Sequence, residues 1–376
     1  MSEPLVTTHD SATHPQAVPR LVPPVHLITA VILSTAAAVL VATLPATASS
    51  LLSSTAATVL AVGAAILGAT VALATRGRAG AMALAVTGAI EAVVFGLLLQ
   101  TTQALALAGY LLAFALPVGL AVVVVGVVRR YRVARWPVLA LALVAVVGGV
   151  AAGLLRSDAL GTLLDGLATG LGRAWPGLVL AVAGLAAALV WGLVTVRLLG
   201  SSTSGRRLTA AVVRHRRVIT VLAALGPVPY GLVRMTWLTP WPLFVPATEA
   251  LPPSTRLWGL LLGGAALLGA VLTIGLIRPW GERFPRWLPV VAGRPVPIAA
   301  AAVPGGLVAA VVTSAALPMI MLLSVEPTDT GPGGMSGTER LLALLLFPCW
   351  IWGPMLGLAV WGYVGHRRGD RPRVAR

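Results

Sequence analysis

The sequence predicts an all-α fold: a polytopic transmembrane helical bundle of about ten spans with both termini on the cytoplasmic side. Three observations predict it. Apolar stretches of 18–25 residues recur about ten times along the 376-residue chain, and about 20 apolar residues suffice to cross a hydrocarbon core of roughly 30 Å. The chain is 58% hydrophobic and only 10% charged, with a mean hydropathy of +0.94, whereas soluble domains carry about a quarter charged residues. Its arginine clusters also fall on one alternating set of loops.

Residues 1–22 are polar and proline-containing, without helical periodicity, and are expected to form a disordered cytoplasmic tail. The first apolar run covers residues 25–44 and is followed by Pro45-Ala46-Thr47-Ala48, which resembles a signal-cleavage site. The run is longer than the 7–15 residues of a signal core, and the tail before it carries two acids and one arginine. A retained span is therefore expected. Further spans are predicted at 51–75, 80–100, 104–128, 137–155, 177–199, 218–239, 257–277, 297–323 and 341–364, followed by a basic cytoplasmic tail, 366–376. Trp136, Trp175, Trp237, Trp241, Trp258, Trp280 and Trp287 flank these spans, as aromatic side chains do at headgroup level.

Orientation follows from the arginines. There is no lysine, and 22 of the 27 basic residues fall on one side: in the loops after spans two, four, six and eight, at Arg20 and Arg197, and in the C-terminal tail. The positive-inside bias places that side in the cytoplasm and the protein in the cell membrane. Between spans five and six, Leu160, Leu163, Leu164, Leu167 and Leu171 recur at helical spacing, predicting a short amphipathic helix on the outer surface. Five spans per half would permit an inverted repeat, but no motif is shared between 25–155 and 177–364.

The net charge of +16 does not imply nucleic-acid binding, because the arginines sit in short loops between apolar runs and no nucleic-acid module accompanies them. Anionic lipid at the cytoplasmic face explains them better. The single cysteine, Cys349, excludes an internal disulfide or a paired-thiol metal site. No H-E-x-x-H, Walker A or G-x-S-x-G sequence occurs. The sequence thus indicates no catalytic residues, metal or cofactor.

Two places inside the spans are chemically unusual. Glu91 is the only acid within them. A carboxyl at mid-bilayer costs several kcal/mol unless it is paired, hydrated or protonated, which makes it a functional candidate. The plainer alternative is a neutral, hydrogen-bonded glutamic acid tying helices together. Gln100 and Gln103, further along, are expected at the outer interface. Span seven contains Gly226-Pro227-Val228-Pro229-Tyr230-Gly231, then Arg234. Its two prolines remove two backbone donors and should break or kink the helix. Such a break is either a binding site, as in transporters, or a packed kink with Arg234 reaching outward. Glu91 and Arg234 differ in predicted depth by roughly 6 Å, within the reach of an arginine. Gly149-x-x-x-Gly153 and Gly353-x-x-x-Gly357 are close-packing signals between helices. Arg278, Arg283, Arg286 and Arg294 lie in a Trp- and Pro-rich inner loop, expected to rest on anionic headgroups.

At GPVPYGLVRMTWLTPWP, with RPWGERFPRWLPVVAGRPVP downstream, the chain resembles a group of multi-pass membrane proteins of actinobacteria that have no established activity. The likeness spans about the last 160 residues, and the Lys-free, Ala/Val/Leu/Gly/Arg-heavy usage agrees with such a source. It implies an integral membrane protein and assigns no catalytic or ligand residue.

Two functions fit these features: a small-solute permease or exporter coupled to protons through Glu91, and a non-transporting scaffold or regulator that recruits partners through its basic loops. A membrane-embedded lipid enzyme would need clustered acids or histidines, which the spans lack. A polar cavity joining Glu91 to the span-seven break would favour the permease; a densely packed apolar bundle would favour the scaffold.

Overall fold

A computed structural model of the chain describes residues 22–44, 52–74, 77–101, 132–151, 157–245, 251–286, 292–324 and 337–369, with scattered positions between 103 and 129. The two tails apart from residues 22 and 366–369, most of the span predicted at 104–128, and most of the 324–340 loop lie outside the described residues.

The described residues are helical, and no strand occurs among them. In chain order the helices are α1 (Pro24–Thr43), α2 (Ser54–Ala74), α3 (Gly77–Val93), α4 (Arg132–Ala151), α5 (Ser157–Ser201), α6 (Thr203–Arg214), α7 (Arg216–Leu225), α8 (Val228–Thr236), α9 (Pro253–Gly275), α10 (Ile298–Ser324), α11 (Gly337–Leu346) and α12 (Cys349–Gly369). A π-helical turn, Val94–Leu98, continues α3, and a 3₁₀ turn, Pro279–Gly281, follows α9.

Eight helical stretches among the described residues are long and apolar enough to cross a membrane. They coincide with the first three and last five of the ten predicted spans. In the region of the fifth, α4 forms a 20-residue helix. Large apolar side chains cover much of the outside, including Ile28, Val59, Leu73, Leu143 and Val303, as lipid-facing residues should.

Three predicted elements are corrected. The amphipathic segment at 156–176 is no separate surface helix. It runs without interruption into the sixth span as α5, 45 residues long. Pro176 removes one backbone bond there, and the Leu-rich turns on both sides carry the helix through it. The arginine-rich stretch after α5 is no loop. Ser202 accepts from the Gly205 amide at 3.0 Å and caps α6, whose Arg206, Arg207 and Arg214 are exposed while Val212 is buried. The last span is two helices, α11 and α12, because Pro348 interrupts the backbone ladder. Pro304 and Pro318, by contrast, leave α10 continuous.

The core has two parts. In one, α1, α2, α3 and α5 pack around Ala37, Ala61, Phe95 and Ala187, and around Leu84, Trp191 and Val194. In the other, α7, α10 and α12 enclose Ala223, Val312, Leu356 and Tyr363. α5 touches α6, α9 and α10, and thereby joins the two parts.

Candidate functional site

Small residues bring the helices of the first part together. Gly88 of α3 faces Thr195 and the Trp191 carbonyl of α5, and a Cβ there would lie 2.5 Å from Thr195 Oγ1. Gly96 sits against Ala188 in the same way. With α3 and α5 this close, Glu91 and Trp191 share one level of the bundle, and Ser34 of α1 and Gly68 of α2 complete it.

Glu91 is fully buried, and it is the only Asp or Glu among the buried described residues. Trp191 Nε1 donates to Ser34 Oγ at 2.8 Å, and Ser34 Oγ donates to Glu91 Oε2 at 3.0 Å. Glu91 Oε1 lies against Gly68, where a Cβ would come within 2.6 Å of it. That oxygen has no hydrogen-bond partner among the described residues. No cation reaches the carboxyl, so its burial is offset by a serine hydroxyl on one oxygen alone. A buried carboxylate without a counter-charge is far costlier than the neutral acid.

Toward the far end of α3, away from the arginine-rich face, the backbone departs from α-geometry. The Leu99 amide donates to the Val94 carbonyl at 3.0 Å, five residues back. Gln100 then folds over the helix end, its Nε2 donating to Phe95 O at 2.7 Å and to Ala181 O at 3.4 Å. Gln100 is 1% exposed and its Oε1 has no partner among the described residues. Gln100 thus lies at the end of its predicted span, packed inward against α5. Gly184 makes the fold-over possible, since a Cβ there would meet Gln100 Nε2 at 2.6 Å and Phe95 O at 2.9 Å. Beside it lies a small pocket lined by Ala37, Val41, Phe95, Leu99, Leu180 and Gly184, with Thr101 at its edge.

The span-seven anomaly is a packed interruption, with Gly226 and Pro227 keeping right-handed helical dihedrals. α7 ends at Leu225, α8 starts at Val228, and Pro227 is buried between them. Protein fills the break. Gly226 abuts the Trp352 side chain and Gly231 abuts Leu267 and the Gly263 carbonyl. The second interruption, at Phe347–Pro348, lies next to the first: the Tyr230 and Phe347 rings are 4.9 Å apart, and Phe347 meets Trp352 edge-on at 5.7 Å. Arg234 lies over the rings of Trp237 and Tyr230, its guanidinium carbon 4.0 and 5.1 Å from their centroids. Gly263 of α9 gives it room, since a Cβ there would approach Arg234 Cβ to 2.7 Å.

Glu91 and Arg234 are not brought together. Glu91 is held by α1, α2 and α5, and Arg234 by its own helix and α9, with no ion pair between them. In place of the shared Glu91–break cavity expected of a permease there are two places, one where α3 packs on α5 and one where α8 packs on α9.

At the arginine-rich face, residues 278–286 and 292–295 pair as the two ends of a folded strap. Phe284 N donates to Arg294 O, Gly293 N to Phe284 O and Val296 N to Glu282 O, around a single bridge between Arg283 and Pro295. Trp280 covers Gly275. α12 ties the strap down: Tyr363 donates to Gly281 O at 2.9 Å, Arg367 donates to Val296 O at 3.0 Å, and His366 lies 3.4 Å from Glu282. Arg278, Arg283, Arg286 and Arg294 are all exposed on it. Sequence reasoning did not pick out Tyr363, Arg367 or Glu282; an acid within an otherwise basic loop, and a Tyr-x-x-x-Arg pair one turn apart, are the signals that point to them.

No group of three or more His, Cys, Asp or Glu side chains assembles among the described residues. No protein-family model, curated protein or solved structure matches this chain. The geometry of the chain itself carries the functional reading.

Proposed function

We propose that this protein is a proton-coupled permease or exporter of a small solute, with Glu91 as the proton-carrying group. We place it in the cell membrane with both termini cytoplasmic, among the multi-pass actinobacterial membrane proteins its C-terminal junctions resemble. The observation that carries the reading is Glu91: fully buried, unpaired by any cation, and with one carboxyl oxygen unpartnered among the described residues. A purely structural tie between Ser34 and α3 would be made as well by a glutamine, without the penalty of a titratable group inside a membrane. The paired helix interruptions are filled by protein and lie apart from Glu91, so the reading rests on Glu91. Arg234, over the rings of Trp237 and Tyr230, is the group that would meet an anionic solute.

Reconstitution into vesicles tests this. A trapped pH-sensitive dye would report proton movement driven by a panel of small carboxylate and amine solutes. The wild-type protein should couple at least one of them to protons, and Glu91→Gln should abolish coupling while the protein still folds. Equal fluxes in both would remove Glu91 from the mechanism.

A second reading is supported by a different observation. The strap at the arginine-rich face is folded and anchored by Tyr363 and Arg367, which suits a platform for a cytoplasmic partner or anionic headgroups. If no solute moves and Arg283→Gln, Arg286→Gln and Arg294→Gln abolish recruitment of a partner while Glu91→Gln does not, the protein is a scaffold.

A further inference from the structure

The Glu91 cluster and the Phe95 pocket are stacked along the same three helices. From Ser34, one turn of α1 leads to Ala37 and the next to Val41. From Glu91, one turn of α3 leads to Phe95 and the next to Leu99. From Trp191, two turns of α5 lead to Gly184 and a third to Leu180. All six end-points line the pocket, whose nearest wall thus lies about 6 Å along the bundle from Glu91. Phe95 belongs to both places. It is 1% exposed, one turn from Glu91, and forms the pocket wall on that side.

We propose that this pocket is the proton-access port of Glu91: it binds water, and Phe95 is the barrier between that water and the carboxyl. The ligand class is water and the hydronium it carries. The inference rests on the proton-coupled reading of Glu91 and on the orientation that puts the far end of α3 outside. Three features support it. The pocket has room for about one water, and Thr101 and the Gln100 amide supply polar groups beside its otherwise apolar wall. Gln100, whose Nε2 meets the pocket-lining Gly184 and Phe95 O, has a buried Oε1 without a partner among the described residues. Glu91 Oε1, one turn deeper, is likewise without a partner among the described residues. The transfer is simple: hydronium gives a proton to the carboxylate, leaving water in the pocket and a neutral acid at Glu91.

The barrier stands on a segment built to rearrange. Phe95 lies in the π-helical turn Val94–Leu98, whose extra residue displaces the ladder by one position. Single π-turns occur frequently at functional sites. Passing that extra residue along the helix re-aims Phe95 without breaking α3. On the opposite side of Glu91, Leu84 and Val194 are 0% exposed.

Hydrogen–deuterium exchange of the Glu91 carboxyl, followed by infrared spectroscopy on the full-length protein in vesicles, tests the port without needing a solute. The acid carbonyl band is assigned by its loss in Glu91→Gln. Phe95→Ala should speed its exchange several-fold, and Ala37→Leu, which fills the pocket, should slow it several-fold. Leu84→Ala, an equal cavity on the other side, should leave the rate unchanged. Thermal unfolding of each variant confirms that the bundle is intact. Acceleration by Leu84→Ala but not by Phe95→Ala, or no acid band that depends on Glu91, would overturn the port. If the port behaves as stated while Glu91→Gln leaves solute-coupled flux intact, the coupling reading falls and the port stands.

Discussion

Single residues decide how closely these helices approach. Gly353 of α12 is the sharpest case, since a Cβ there would lie 2.5 Å from the Thr313 amide nitrogen of α10. Gly353→Ala should therefore cost about 1–3 kcal/mol through overpacking, read as a lower unfolding midpoint in detergent. Gly357→Ala, whose nearest neighbour is 3.9 Å away, should be near neutral, and equal losses at both positions would refute the packing argument. Ser34→Ala should cost a similar amount, about 1–3 kcal/mol, because it orphans both the Trp191 N–H and a Glu91 oxygen. Glu91 was legible in the sequence because an acid inside an apolar run stands out by composition alone. Its partners were not. Ser34 and Trp191 lie 57 and 157 positions from their hydrogen-bond partners, and a serine or tryptophan in a membrane helix carries no mark of what it faces. The Gly353-x-x-x-Gly357 spacing was legible as a packing signal, yet only its first glycine is in tight contact.

At the level of elements, the sequence is most informative where the backbone chemistry changes. Two prolines one residue apart announced the α7–α8 break, and the lost donors explain it. The amphipathic α6 was hidden because its arginines counted as loop charges; Ser202, with a helical pattern of exposed arginines behind it, is the local signal. The strap was expected to lie flat on headgroups, and its hydrogen bonds to α12 could not be foreseen from residues some 80 positions apart. Those bonds make a prediction: Tyr363→Phe combined with Arg367→Gln should release the strap and speed tryptic cleavage at Arg283 and Arg286. An unchanged cleavage rate would mean that the anchors are dispensable. Independently, Arg283→Gln, Arg286→Gln and Arg294→Gln together should lower retention of anionic lipid in reconstituted vesicles; unaltered retention would assign those arginines another role.

For the whole molecule, the membrane-spanning helical architecture was readable from apolar run length and arginine alternation, both of which follow from bilayer thickness and headgroup charge rather than from tertiary contacts. How the helices group was not readable, because one apolar stretch packs against another with little sequence signature. The proposed topology predicts that reporters fused at the C-terminus and inserted within 324–340 will signal from opposite sides of the membrane, and matching signals would sink it. The longest element adds a mechanical consequence. At 1.5 Å per residue α5 is about 68 Å long, longer than a bilayer with its headgroups, about 40–45 Å, so upright in the membrane it would extend beyond it. Trp191, at the Glu91 level, is 34 residues from Ser157, a lever arm of about 51 Å. A tilt of about 10° at that fulcrum sweeps the free tip through about 9 Å, an amplification that turns a sub-helical adjustment beside one buried carboxyl into a displacement an extracellular antibody fragment or spin label would register.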